Sequence, residues 1–325
     1  MKAICYSLFF IFLPGAFTLS AQSTDSVPAP AKTEGYFRLN YDNDVLSATD
    51  RYYTQGIRLE LVAPFIRKSF YHSTLIPVNK YASSYYGMAL EQDGFTPRSI
   101  RHDSIQYGER PYASVFFVSG FLISVDKEKQ QRLTTQLDLG VIGPAAKGAE
   151  EQKGIHYALD NIQPLGWQYQ IDNDAVVNYT VNYEKGFLYN RYLEFIGMAE
   201  ARAGTLYDDI SVGATIRIGW MQPYFENLGL SKDHTVNRKF QCYLFVREKV
   251  KAVGYNATLQ GGLFNRESPY TLTKDQVSRV VGRADIGIVL AYKRVSIEYT
   301  KAHITPEFEG GLRHGWGHIN IAVCF

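Results

Sequence analysis

The chain has 325 residues, 46% of them hydrophobic, and its 34 Lys and Arg against 32 Asp and Glu leave a net charge of +2. That balance, with no basic block, offers nothing to a nucleic-acid partner. After the N-terminus no run of roughly 18 apolar residues exists, which excludes helical membrane spans; the mean hydropathy of −0.20 suits a barrel whose strands are half polar.

Lys2, the apolar stretch Ala3–Phe17 and the small residues Leu19-Ser20-Ala21 predict a Sec-type signal peptide over 1–21, cleaved near Ala21. The Ser/Thr/Pro/Ala stretch over 22–34 reads as a disordered leader, and 35–325 as one barrel domain. Cys5 leaves with the signal. Cys242 and Cys324 lie far apart without CxxC spacing, which supports neither a zinc site nor a disulfide framework.

Period-2 segments then recur along the chain. Tyr36–Val45 puts Phe37, Leu39 and Tyr41 on one face and Arg38, Asn40 and Asp42 on the other. Arg51–Leu61 puts Ile57, Leu59 and Leu61 outward and Thr54, Arg58 and Glu60 inward. Further strands are expected over Ser83–Asp93, Tyr112–Val125, Arg132–Ile142, Ala175–Phe187, Arg191–Ala203, Ile210–Met221 and a long Phe240–Gln260. Arg283–Leu290, Val295–Thr300 and His314–Phe325 complete the set; the last ends on an aromatic residue, as closing strands of outer-membrane barrels do. The pattern predicts an all-β fold: a transmembrane antiparallel β-barrel of about 12 strands around a wet lumen. A surplus of 24 Tyr and 19 Phe over 3 Trp would furnish aromatic girdles at both interfaces. A soluble β-sandwich with an aromatic core is the competing fold.

Ala145–Asn161 breaks the alternation, being rich in charge and helix formers. Gln152, His156, Leu159 and Asp160 share one face, which predicts a short helix in a long loop. A barrel that only spans needs no such loop, so it is a functional candidate. His156 is a competent general base, or else simply a solvated polar residue of an exposed loop; Gln152 or Asp160, one turn away, could hold its ring. Asp42-Asn43-Asp44 and Asp50-Arg51-Tyr52-Tyr53-Thr54 gather oxygen donors at one rim, which suits Ca²⁺. The same residues are equally at home in a hairpin turn.

The motifs YDNDVLSATDRYYTQGIRLEL, GERPYAS and LGVIGPAAKGAEEQKGIHYALDNIQPLGWQYQI, in this order, resemble the LpxR family of outer-membrane lipid A deacylases from about Tyr36 onward. The resemblance implies a twelve-stranded barrel with its active site at the outer rim, between the wall and a loop helix. It implies a Ca²⁺-dependent ester hydrolase that removes the 3′-linked acyl chains of lipid A. Carried over, the family's Asn-Asp pair falls on Asn43 and Asp44, its threonine on Thr54, and its helix Gln and His on Gln152 and His156. His156 would then be the general base. Asp44, Thr54 and Asp160 would serve as metal ligands, and Asn43 as oxyanion donor. Some members carry a glutamate where Asp160-Asn161 stands here, and a lysine in the loop that here offers Arg98, Arg101 and His102 to the substrate. Ser114 occupies a position where RPYA is commonly followed by glycine. No G-x-S-x-G elbow occurs, consistent with water as nucleophile. Alternative functions are a phospholipase-like barrel acting on glycerophospholipid esters and a non-enzymatic small pore. A monomer bound to lipopolysaccharide in the outer membrane is the expected state.

Overall fold

The computed structural model describes residues 35–44, 51–158, 160–226, 228 and 240–325; the expected signal peptide and leader, together with Asp50 and Leu159, lie outside them. Twelve antiparallel strands close into a barrel: β1 (Tyr36–Asn43), β2 (Tyr52–Val62), β3 (Ser83–Thr96), β4 (Ala113–Asp126), β5 (Gln131–Ile142), β6 (Asp174–Tyr189), β7 (Leu193–Gly204), β8 (Tyr207–Trp220), β9 (Phe240–Asn256), β10 (Val280–Tyr292), β11 (Val295–Ile304) and β12 (His314–Cys324). Each pairs with its chain neighbours, and β1 meets β12 from Tyr36↔Cys324 to Asn43↔Gly317. Closure leaves no backbone edge facing lipid. The end that carries Gly35, Phe325 and tight turns such as Lys293–Arg294 is the periplasmic end; the longest loops mark the extracellular end.

Two elements differ from expectation. The strand predicted to reach Gln260 stops at Asn256, whose Oδ1 accepts from Thr258 N at 3.0 Å and caps a single helical turn, α2 (Ala257–Gln260). The loop helix α1 is Gly148–Ala158, shorter than the predicted 145–161. Cys242 and Cys324 form no disulfide.

The inward charges of the lumen are paired rather than left as an open lining. Arg58 bonds Glu60 at 3.1 Å and also Glu91, while Arg38 reaches Glu60 at 3.4 Å. Arg217 pairs with Glu194, Arg202 with Asp209, and Lys249 with Glu200 at 3.0 Å. The inward charges therefore answer one another, and rings fill the space between them; Phe121 lies where a side chain on Gly87 would go. Removing one partner strands the others. Arg58→Ala should cost about 3–5 kcal/mol of unfolding free energy, read from urea unfolding of the detergent-solubilised barrel.

Arg110, from the GERPYAS motif, is buried at the extracellular mouth. It donates to Glu307 Oε2 at 2.6 Å and Thr258 Oγ1 at 2.5 Å, with its guanidinium 4.3 Å from the Phe95 ring centroid. Arg110 thus ties three extracellular loops together over the lumen.

Outside, Leu59, Leu90, Ile210, Val212, Ile286 and Ile297 expose their side chains as a lipid-facing wall. Of the expected girdles, the periplasmic one is built by Tyr189, Tyr192, Trp220, Phe240 and Tyr292 at strand ends. At the other end the exposed rings sit on loops: Tyr107, Tyr157 and Phe264.

Two periplasmic connections are long, residues 63–82 between β2 and β3 and residues 221–239 between β8 and β9. Residues 63–82 fold as two 3₁₀ turns (Pro64–Lys68 and Phe70–Thr74) and lie against the outer wall. Along β4 the odd residues face in, as Phe121 beside Tyr85 and Ser119 bonded to Asp138 show, so Gly120 faces out. The Tyr71 ring fills the space a Cβ at Gly120 would need, a contact only glycine permits.

Candidate active site

Strict alternation sends Tyr41 and Asn43 outward at the extracellular end of β1, whereas Asp42 faces the lumen and bonds His318. Gln55 lies opposite Asn43 and Gly94. Between Tyr53 and Gln55 the register of β2 against β3 slips by one residue, a β-bulge. Tyr53 keeps facing the lumen, donating to Asp93 at 2.8 Å and Asp42 at 3.0 Å. Thr54 does not return inward as its parity with Arg58 and Glu60 predicts. Both Thr54 and Gln55 pack over outward-facing Gly94. The extra residue thus places Thr54 on the outer wall, correcting its predicted inward orientation.

Helix α1 covers that wall. The turn before it is pinned where Gln92 Nε2 donates to Ala146 O at 2.6 Å. Gly148 then sits so close to the outward Ser114 hydroxyl that a Cβ would collide with it. The first residue of the helix is small because the wall beneath carries a serine.

Gly148, Gln152 and His156 form the buried face of α1. Gln152, 1% exposed, donates from Nε2 to Thr54 Oγ1 at 3.3 Å and accepts from Trp167 Nε1 at 2.7 Å. It is a bridge from the helix to the bulge, not a holder of the histidine ring. That task falls to a backbone group: His156 Nδ1 is 2.5 Å from Ile162 O. A carbonyl can only accept, so Nδ1 carries a proton, and in the neutral ring the lone pair lies on Nε2. His156 is 7% exposed and one helical turn from Gln152.

Asp44, 1% exposed, accepts the Arg51 amide at 2.9 Å on Oδ2. Asn43 Nδ2 donates to the Tyr41 hydroxyl at 3.1 Å. Both Asp44 and Glu151 act electrostatically on Tyr41. Glu151 also lies beside the Gln55 amide, and burial holds its carboxyl above the ordinary carboxylate range. Gln55 Nε2, Thr96 Oγ1 and Ser114 Oγ are buried without a partner of good geometry. The rim is therefore rich in polar atoms that a bound group could satisfy.

Asn43, Asp44, Thr54, Gln152 and His156 are linked through the β1–β2 pairing, the Gln152–Thr54 bond and one helical turn. Asp160 is different: exposed, in the left-handed conformation, it ends the helix with its amide donating to Tyr157 O at 3.3 Å. Arg98, Arg101 and His102 are exposed on the β3–β4 loop. That loop is tied to the segment after α1 where Leu165 N donates to Ile100 O at 2.7 Å and Gln168 bonds Asp103, so Arg101 and His102 flank the site. Sequence reasoning missed Tyr41, Gln55, Glu151 and Trp167. Only the outward parity of Tyr41 was readable, since the others meet the rim through tertiary contacts.

Trp167→Phe should leave Gln152 Oε1 unpaired, costing about 1–3 kcal/mol of stability and lowering kcat more than it raises KM, measured together by urea unfolding and turnover.

A family model described as "Outer membrane protein LpxR" matches residues 5–325. The chain belongs to the LpxR family. Among solved structures it is similar to LpxR from Salmonella typhimurium, at 21% identity and a TM-score of 0.69, covering 89% of this chain and 99% of that one. The β domain of the Bordetella autotransporter BrkA follows at 10% identity and a TM-score of 0.44, covering 90% of this chain and 100% of that one. No curated protein matches. As an LpxR-family outer-membrane barrel, the chain has its candidate residues on the wall rather than in the lumen.

Proposed function

We propose that this LpxR-family barrel is a lipid A deacylase, an ester hydrolase that removes 3′-linked acyl chains from lipid A at the extracellular rim. The observation that carries the reading is the placement of the cluster. Thr54, Gln152 and His156 lie between the outer wall and α1, on the side of the barrel that faces the outer leaflet and not the lumen.

His156 takes a proton from water through Nε2, its ring held by Ile162 O, and the hydroxide formed attacks the ester carbonyl. The proton on the imidazole then passes to the leaving alkoxide of the sugar. Asn43 donates to the oxyanion of the tetrahedral intermediate. Gln152 fixes the distance between helix and bulge, and Arg101 and His102 offer positive charge and donors to phosphate or sugar; Arg98 is the third candidate.

The rim also fits Ca²⁺. The buried Asp44 carboxylate, the Thr54 hydroxyl and the Asn43 amide oxygen are hard donors of the right kind. Glu151, beside Gln55, is better placed than exposed Asp160 to supply a second carboxylate. When bound, the cation would act as a Lewis acid that favours negative charge on the carbonyl oxygen.

Purified protein incubated with lipopolysaccharide and Ca²⁺ should release fatty acid. Glycerophospholipid hydrolysed at an equal or greater rate would favour a phospholipase, and ion conductance without release would favour a pore.

A further inference from the structure

The strap over residues 63–82 does not belong to the catalytic rim; it lies at the opposite, periplasmic end of the barrel. Hydrogen bonds hold it on the outside of β4–β6. Tyr71 OH donates to Val118 O at 3.3 Å, and Tyr179 OH to Thr74 O at 2.6 Å. Ile76 N donates to Thr135 Oγ1 at 3.1 Å, Val78 N to Ser124 Oγ at 3.0 Å, and Asn79 Nδ2 to Asp126 Oδ2 at 2.8 Å. A segment so tied to a lipid-facing wall sits at the depth of the periplasmic leaflet.

What it shows outward is amphipathic. Phe65 is 67% exposed and Phe70 69% exposed, beside exposed Arg67 and Lys68. Lys80 is exposed further along, and residues 63–82 contain no Asp or Glu. Around β6–β10 the same level of the wall carries the aromatic belt of Tyr189, Trp220 and Tyr292, and over β3–β5 the strap stands in that belt's place. Phenyl rings beside unpaired-sign cations match one kind of occupant: acyl chains under an anionic headgroup.

We propose that the strap is a binding site for an anionic glycerophospholipid of the periplasmic leaflet, with acyl chains against Phe65 and Phe70 and the phosphate neutralised by Arg67 and Lys68, supported by Lys80. The site is independent of the hydrolytic reading, because none of its residues touches the rim cluster.

Native mass spectrometry of the intact barrel, released from detergent with added phosphatidylglycerol, tests it. Wild-type protein should retain phosphatidylglycerol in preference to phosphatidylethanolamine. The triple variant Arg67→Gln, Lys68→Gln, Lys80→Gln should bind it on the order of tenfold more weakly or less, with heat-modifiable folding and hydrolysis unchanged. Phe65→Ser should lower retention of both lipids. Equal retention of phosphatidylglycerol by wild type and triple variant would overturn the proposal, as would equal binding of the two lipids by wild type. A wild-type dimer that the triple variant loses would overturn it too, by assigning the strap to a second copy of the chain.

Discussion

His156→Ala should abolish measurable deacylation, with kcat reduced on the order of 10²–10⁴-fold, while the barrel still migrates as a folded, heat-modifiable species. The ring is held by a backbone carbonyl, so removing it leaves no side chain unpaired except through its own absence, and stability should change little. His156→Gln offers a stricter test: it retains polarity at the same place but has no basic nitrogen, and should be as inactive as the alanine variant. Activity close to wild type in either variant, in a lipopolysaccharide assay, would remove His156 from the reaction.

The second large effect concerns the oxygen donors. Chelation should stop turnover and added Ca²⁺ should restore it, with the folded barrel intact throughout. Asp44→Asn should require far more Ca²⁺ for half-maximal rate, because the carboxylate charge is what attracts the cation to a buried place. Glu151→Gln should shift the same Ca²⁺ dependence, whereas Asp160→Asn should leave it in place. Turnover indifferent to chelator would end the Lewis-acid role. A shift caused by Asp160→Asn and not by Glu151→Gln would return the second carboxylate to the end of the helix.

The strands were legible because each carries a period-2 pattern with one greasy face; Val295, Ile297 and Tyr299 against Ser296, Glu298 and Thr300 is the plainest case. Helix α1 was legible for the opposite reason, as a charged stretch that alternation cannot describe. Periodicity fails where a single residue is inserted. The bulge at Thr54 leaves no mark in composition, yet it decides which side of the wall the hydroxyl faces. It fails again after Asn256, where alternating Val253 and Tyr255 run into apolar Ala257 and Leu259 and a helical turn looks like more strand. The lumen was read as wet because Arg58, Glu60 and Arg38 share a face. Only the closed register reveals that Arg38 meets Glu60 and Arg58 meets Glu91 across strands. Partners of the site were hidden in the same way. Ile162 contributes a carbonyl, and Trp167 reaches Gln152 from beyond the helix.

Mass spectrometry of lipid A, from cells that express this protein and from cells that lack it, asks most directly whether the residues gathered under α1 hydrolyse an outer-leaflet ester. Expression should remove the mass of the 3′-linked acyl substituents and leave the remainder of lipid A unaltered, with the full mass retained in cells expressing His156→Ala. Identical lipid A spectra with and without active, correctly folded protein in the outer membrane would contradict the account.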